Sequence, residues 1–310
     1  MQWSQIKTLF ILTFLILNIY LAVQLINKQK QADLAVLEHG QSSFEEVLQS
    51  ENITIPDSLQ DEAEERFISV RQKVFTEEDI EGISGHDNLD TVIVNKNLLV
   101  SVFDKPLAIP KDSENSPGDI KGLLQDYIAF ADDYKFWNWN KDLNILIFFQ
   151  KEYDRPVYFN QNGILLVFLN DKNEVTFYTQ TMLDKSDDQQ EKRKLISAIE
   201  AIEKLYNSSE LNVGDNVTTV DIGFHTRVPL ENGVQVFVPV WKITVDDERH
   251  YFVNAIEGHI FSSDELEFLE ESVELDIERI QEMKGHKDIK EDIAKRLKER
   301  LEAINEGEGE

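Results

Sequence analysis

Cysteine is missing from all 310 residues, which excludes disulfides, thiolate metal sites and cysteine nucleophiles together. Recognisable catalytic patterns are missing too. None of the six histidines, His39, His86, His225, His250, His259 and His286, belongs to an HExxH helix or to a pair four residues apart, and no GxSxG elbow occurs. Lone serines sit in turn-like or polar stretches, so nucleophilic serine catalysis has little support. Positive charge is scarce: 31 Lys and Arg stand against 59 Asp and Glu, a formal net charge of −28. Every acid lies beyond Lys30, and only Lys7, Lys28 and Lys30 are basic up to that point, so residues 31–310 set 28 basic side chains against 59 acidic ones. Phosphate backbones are bound by Lys and Arg neutralisation, so a field of this sign excludes nucleic acid as a partner. It also opposes lying flat on anionic lipid. Disorder of the bulk is excluded by what is plentiful: hydrophobic residues make up 41%, and 18 phenylalanines point to an aromatic-rich core.

Long apolar runs are rare, with one exception at the N-terminus. Thr8–Ile26 (TLFILTFLILNIYLAVQLI) contains no charge and spans 19 residues. As a helix it rises about 28 Å, close to the hydrocarbon thickness of a bilayer. The competing reading is a cleaved signal peptide. The run is longer than an h-region, and the small residue nearest to a cleavage site, Ala22, has bulky Tyr20 two positions before it. A retained single span is therefore expected. Lys7 on one flank and Lys28 with Lys30 on the other barely decide its orientation. The long acidic domain that follows favours a cytoplasmic N-terminus and an extracytoplasmic remainder. Asn18 lies near the middle of the run, where a side-chain amide seeks a partner helix or its own backbone. Ile11, Phe14, Leu21 and Leu25 share its stripe at helical spacing, which makes Ile11, Phe14, Asn18, Leu21 and Leu25 the candidate partner-helix contact.

Beyond the anchor at 1–30 the pattern divides the chain into a polar stalk at 31–52, an α+β domain at 53–262 and an acidic helical tail at 263–310. Within the domain a helix-then-strands unit occurs twice, at about 53–183 and 184–262. Asp119–Ala131 places Ile120, Leu123, Leu124, Tyr127, Ile128 and Ala131 on one helical face. The runs Phe136–Trp139, Leu143–Gln150, Pro156–Asn160, Gly163–Asn170 and Glu174–Met182 follow as strands. Asp188–Tyr206 reads as the second helix, succeeded by strands at Asn216–Thr226, Gly233–Val245, His250–Ile256 and Ile260–Phe261. Earlier, Thr91–Asn95 and Leu98–Phe103 read as strands, Asp57–Val74 as a short helix running into a strand, and Thr76 with Asp79 as a capping box. The two units share local wording, YFNQNGI at Tyr158–Ile164 beside YFVNAIEGHI at Tyr251–Ile260, as a weak internal repeat. In the tail, Leu266, Leu269, Val273, Ile277 and Ile280 keep heptad-like spacing and Ile289, Ile293, Leu297 and Leu301 recur every fourth residue, predicting two helices around Gly285.

Three constellations carry possible chemistry. His250 and His259 flank one hairpin. Asp246-Asp247-Glu248 groups carboxylates, yet lacks the alternating ligands and glycine of a calcium loop, which leaves a solvated hairpin tip as the better reading. Trp137 and Trp139 alternate along a strand, where exposed coplanar rings would stack glycans and buried ones would belong to the core. No cofactor or metal site is read from these residues, and a small-molecule ligand is left open.

The opening MQWSQIKTLFILTFLILN, the stretch PVYFNQNGILLVFLN and the stretch VQVFVPVWKITVDDERHYFVNAIEGHIF together resemble the YycI (WalI) family. That family accompanies the WalK–WalR (YycG–YycF) cell-wall two-component system of low-GC Gram-positive bacteria. The resemblance covers about residues 1–262 and implies a single N-terminal span, an extracytoplasmic α+β domain and no catalytic activity. It also implies contact with the sensor histidine kinase WalK (YycG) and with a YycH-like companion. No catalytic residue comes with it. The helix and strands ending in YFVNAIEGHI are also similar, more weakly, to the PepSY module. The expected function is thus a membrane-anchored accessory regulator, with an extracytoplasmic glycan-binding module or wall hydrolase as the alternative.

Overall fold

The computed structural model describes residues 12–15, 17–18, 41–59, 64–83, 85–110, 117–184, 191–229, 233–261 and 263–307. The chain forms two compact units, one from Met1–Ile55 with Ser209–Asn216 and one from Pro56–Ser208 with Val217–Glu310. In the first, helix α1 (Gln41–Ser50) lies within the segment read as a stalk. Its Phe44 and Leu48, four residues apart, are buried, as one apolar helical face requires. The following turn is tied by Gly214 N–H donating to the Glu51 carbonyl at 3.0 Å and Thr54 N–H donating to the Asp215 carbonyl at 3.0 Å. Residues 12–15 and 17–18 are helical and exposed. Among the described residues no helix is long and apolar enough to cross a membrane, and most of the expected span Thr8–Ile26 lies outside them.

The second unit is built on one sheet. Its strands are β2 (Ile68–Arg71), β3 (Leu89–Val94), β4 (Leu98–Ala108), β5 (Tyr134–Asn140), β6 (Ile145–Glu152), β7 (Arg155–Tyr158), β8 (Ile164–Leu169), β9 (Glu174–Gln180), β11 (Val217–Pro229), β12 (Val234–Val245), β13 (Arg249–Asn254) and β14 (Ile260–Phe261). The order is β14-β13-β12-β11-β7-β6-β8-β9-β4-β3, with β2 added to β12 and β5 to β6. β1 (Glu64–Arg66) and β10 (Lys192–Lys194) form a separate ribbon in which Glu64 faces Lys194 across the strands. The two expected helix-and-strand units therefore share a single sheet. They meet at the antiparallel pairing of β2 with β12 and at the short parallel pairing of β7 with β11, where Phe224 faces Val157 and His225 faces Tyr158.

Central strand β8 (ILLVFL) and the first five residues of β6 (ILIFF) are apolar without interruption, as strands covered on both faces must be. Their alternation splits the core. Leu146, Phe148, Leu165 and Val167 face Ile80 of helix α2 (Glu77–Ile80) and Ile120 and Leu124 of helix α3 (Pro117–Leu124). Helix α4 (Ala198–Asn207) packs on β12, where the Trp241 indole donates to the Ile196 carbonyl at 2.9 Å. The opposite face, with Ile145, Ile147, Phe149, Leu166, Phe168 and Val240, is covered by the two tail helices, α5 (Glu265–Glu282) and α6 (Lys287–Gly307). Phe268, Leu269, Val273, Ile277 and Ile280 of α5 and Ile293, Leu297 and Ile304 of α6 enter that core. Burying each such side chain contributes about 1.5–3 kcal/mol. The heptad-like pattern of the tail is thus a docking face on the sheet, and Gly285, at φ 87°, turns the chain between the helices.

Several element boundaries differ from the sequence reading. The helix expected over Asp119–Ala131 ends at Leu124, because side chains on or near β9 capture the carbonyls beyond it. Tyr178 Oη donates to the Tyr127 carbonyl at 2.8 Å and Gln180 Nε2 to the Ala129 carbonyl at 2.6 Å, and Phe130 adopts a left-handed φ of 55°. The helix expected over Asp188–Tyr206 begins only at Ala198. Ser197 caps it in a reciprocal box with Glu200, whose Oε2 accepts from Ser197 N–H at 2.6 Å, while Lys192–Lys194 pair as a strand with Glu64–Arg66. Asp57–Val74 holds two short strands among its described residues rather than a helix and a strand. The Thr76–Asp79 box does open α2.

Candidate functional site

Strand β5 carries the two tryptophans and a register shift between Phe136 and Asn138 in its pairing with β6. The residue in between, Trp137, is the extra one, and a bulge re-aims the side chain it carries. Phe136 and Trp139 face the α3 side of the sheet, and Trp137 packs on the tail side. Two rings that strict alternation places side by side therefore lie on opposite faces, and Trp139 is only 8% exposed. The stacking platform for glycans does not form. Of the two readings of this pair, the structure selects core packing.

Trp137 instead joins an aromatic cluster at the junction of the sheet's two halves. Its ring lies 4.7 Å from His250, 5.3 Å from Phe149 and 5.6 Å from Tyr158, centroid to centroid. The Lys242 ammonium sits over it at 4.6 Å, a cation–π contact that gains strength when water is excluded. At the ring's edge the indole Nε1 donates to Glu265 Oε2 at 2.9 Å. Asn138 Nδ2 donates to the same oxygen at 3.0 Å and Asn140 Nδ2 to Oε1 at 3.3 Å. Three donors from β5 thus converge on one carboxylate in the first turn of α5, where the helix dipole also favours negative charge.

Burial sets the protonation of this cluster. It pushes the Lys242 ammonium below its ordinary value, against the pull of Asp221. Burial first, and Lys242 second, hold the His250 imidazole down at about 4. Burial lowers His225 as well. The His225 ring stacks on Phe261 at 4.9 Å, with Nε2 3.2 Å from Ser263 Oγ and Nδ1 3.1 Å from the Thr226 carbonyl. A serine beside a histidine resembles an activated nucleophile, but the group behind this ring is a backbone carbonyl instead of the carboxylate that stabilises an imidazolium. Both histidines act as neutral packing elements at neutral pH. His250 and His259 do not pair. His250 is the second residue of β13 and His259 lies past the strand's end, beyond four strand steps of about 3.3 Å each.

Asp246 and Asp247 form the tip between β12 and β13, both with φ near 60° as a two-residue hairpin requires. Arg249 Nη2 takes up Asp246 Oδ2 at 2.8 Å. Of the residues of the expected partner-helix stripe, Phe14 and Asn18 are helical and exposed. Ile11, Leu21 and Leu25 lie outside the described residues. Lys242 and Glu265 were not anticipated as site residues. The first had a visible signal, a lone lysine inside the apolar run VQVFVPVWKITV. The second had none, being one of many glutamates in the tail.

The sequence matches the family model described as YycI protein over residues 31–256. No curated protein matches the chain significantly. Among solved structures, an uncharacterised protein from Eubacterium rectale ATCC 33656 aligns with 10% identity and a TM-score of 0.40, over 68% of this chain and 89% of its own. The family match takes in α1, the whole sheet except β14, and the Trp137 cluster apart from Phe261 and the residues of α5. With nearly three quarters of the chain inside that match, the protein belongs to the YycI family, regulatory proteins of the WalK (YycG) two-component system.

Proposed function

We propose that this chain is a membrane-anchored accessory regulator that adjusts the signalling equilibrium of the sensor histidine kinase WalK (YycG) by contact, with a YycH-like protein as its extracytoplasmic companion. The family match over residues 31–256 carries this reading. The uncharged run Thr8–Ile26 supports the anchor, with the N-terminus in the cytoplasm and the sheet unit outside. The stripe of Ile11, Phe14, Asn18, Leu21 and Leu25 is the proposed contact with partner helices in the membrane. An amide at that depth contributes about 0.6–2 kcal/mol through an interhelical hydrogen bond. A coupling of about 1–3 kcal/mol shifts a two-state equilibrium 5–150-fold.

Asn18→Leu tests the stripe, because it removes the amide while keeping volume and raising hydrophobicity, so insertion survives. A kinase-dependent reporter is read beside the membrane level of each variant, with Leu9→Ile and Ile16→Leu as controls on the opposite face. Output shifts in Asn18→Leu at unchanged protein level, and the controls stay near the wild type. If Asn18→Leu matches the wild type in both readouts while changes on the sheet unit's surface abolish the response, coupling runs outside the membrane.

A further inference from the structure

The tail helices complete the core of the second unit, yet they carry features of a docked partner. The family match ends at residue 256, so α5 and α6 are laid on a sheet that the family model describes without them. The buried face of α5 is partly polar. Ser272 and Asp276 are buried, and Arg279 reaches Asp276 at 3.4 Å and Asn162 Oδ1 at 2.9 Å. Arginine is enriched at protein interfaces, and a half-buried arginine on a buried carboxylate differs from the aliphatic filling of a domain core. Around the apolar contact, polar clasps fix the hairpin at the rim of the sheet: Glu265 on the β5 donors, Glu271 accepting from Gln161 Nε2 at 2.9 Å, and Arg300 donating to the Leu143 carbonyl at 3.3 Å. The two helices hold each other as a hairpin, with Lys290 Nζ donating to the Met283 carbonyl at 3.2 Å at the end of α5. Beneath them, Ile147, Phe149, Leu166 and Phe168 form a contiguous apolar face, of an extent that soluble chains keep covered.

We infer that this face of the sheet is an interaction surface for an amphipathic helical hairpin bearing a carboxylate in its first turn, and that in this chain residues 264–307 occupy it in cis as a detachable ligand. The inference goes beyond the kinase reading and does not depend on it. Tethering gives the tail a millimolar effective concentration, so the face is closed by default. A partner gains it only by presenting the same chemistry or by unseating the clasp at Glu265.

Hydrogen exchange on the full chain, read by mass spectrometry under native conditions, tests the detachment. Amides of α5 and α6 exchange together and at least about tenfold faster than those of β6 and β8, as a separate cooperative unit does. Glu265→Ala, which removes a charged acceptor shared by three donors, accelerates the tail at least about tenfold more while β6 and β8 keep their rates. A fluorescent peptide of residues 264–307, added to the full chain, is taken up at least about tenfold more by Glu265→Ala than by the wild type, because the tethered tail then competes less. The milder Glu271→Ala, which removes the acceptor of Gln161 from the tethered tail alone, gives the same ordering with a smaller effect. Exchange of α5 and α6 in a single step with β6 and β8 makes the tail part of the core and overturns the inference. So does failure of the peptide to bind the Glu265→Ala chain.

Discussion

Gly223→Ala strikes the place where the two halves of the sheet are joined. A Cβ added there lies 2.3 Å from Tyr158 Cε2, 3.0 Å from Tyr158 Cδ2 and 2.8 Å from the Pro156 carbonyl oxygen. Non-bonded carbons rest at about 3.5–4.0 Å, so the ring must retreat by more than an ångström or the strands must part. The ring has little room, being 3% exposed and packed between Trp137, Phe149 and Phe252 at 5.6, 5.9 and 5.0 Å. The carbonyl belongs to the backbone at the start of β7, and moving it opens the short parallel pairing with β11. Overpacking of this kind costs about 1–3 kcal/mol. That corresponds to a fall of about 2–4 °C in melting temperature per kcal/mol for a domain of this size. Urea unfolding of the purified chain, followed by tryptophan fluorescence because Trp137 adjoins the affected ring, measures it. Tyr158→Leu removes the ring atoms that clash and leaves the carbonyl contact, so Gly223→Ala costs less in that background. An unchanged midpoint for Gly223→Ala, or an equal cost in both backgrounds, refutes close approach as the reason for glycine here.

Two further predictions concern pH. Burial raises the Asp276 carboxyl from 3.8 to about 6, against the pull of Arg279 and a hydrogen bond from Thr179. The folded value exceeds the unfolded one, so its favourable contribution is complete below about pH 4 and is lost as pH rises through about 6, by about 3 kcal/mol in all. Denaturation of Asp276→Asn at a series of pH values shows this part of the pH dependence removed, and an unaltered profile counts against a buried, protonatable Asp276. His250 has the opposite sign. Its imidazole is held down from 6.5 to about 4 by burial and by Lys242, so its contribution is present above pH 6.5 and is lost as pH falls through about 4. An NMR titration of the ring protons places the midpoint near 4, and Lys242→Met moves it upward. A midpoint at the ordinary histidine value would mean that the ring is solvated.

Hydrophobic periodicity alone located most strands and both tail helices, because each depends on which face of a local element meets water, and the capping box marked the Thr76–Asp79 turn. Composition argued against nucleic acid, and the local wording around Tyr158 and Tyr251 carried the family. The sequence also held the Ser197–Glu200 capping box, a four-residue signal that marks the true start of α4 inside a longer amphipathic stretch. What it could not hold were outcomes that need a partner distant in the chain. The end of α3 was decided by Tyr178 and Gln180, whose side chains take the carbonyls of residues some fifty positions earlier. The separation of Trp137 from Trp139 was decided by one extra residue in the pairing with β6. Glu265 became distinct from the other acids of the tail only when three donors of β5 converged on it across more than a hundred residues. Periodicity says that a surface must be covered, whereas only the assembled sheet says what covers it and which polar groups meet at its rim.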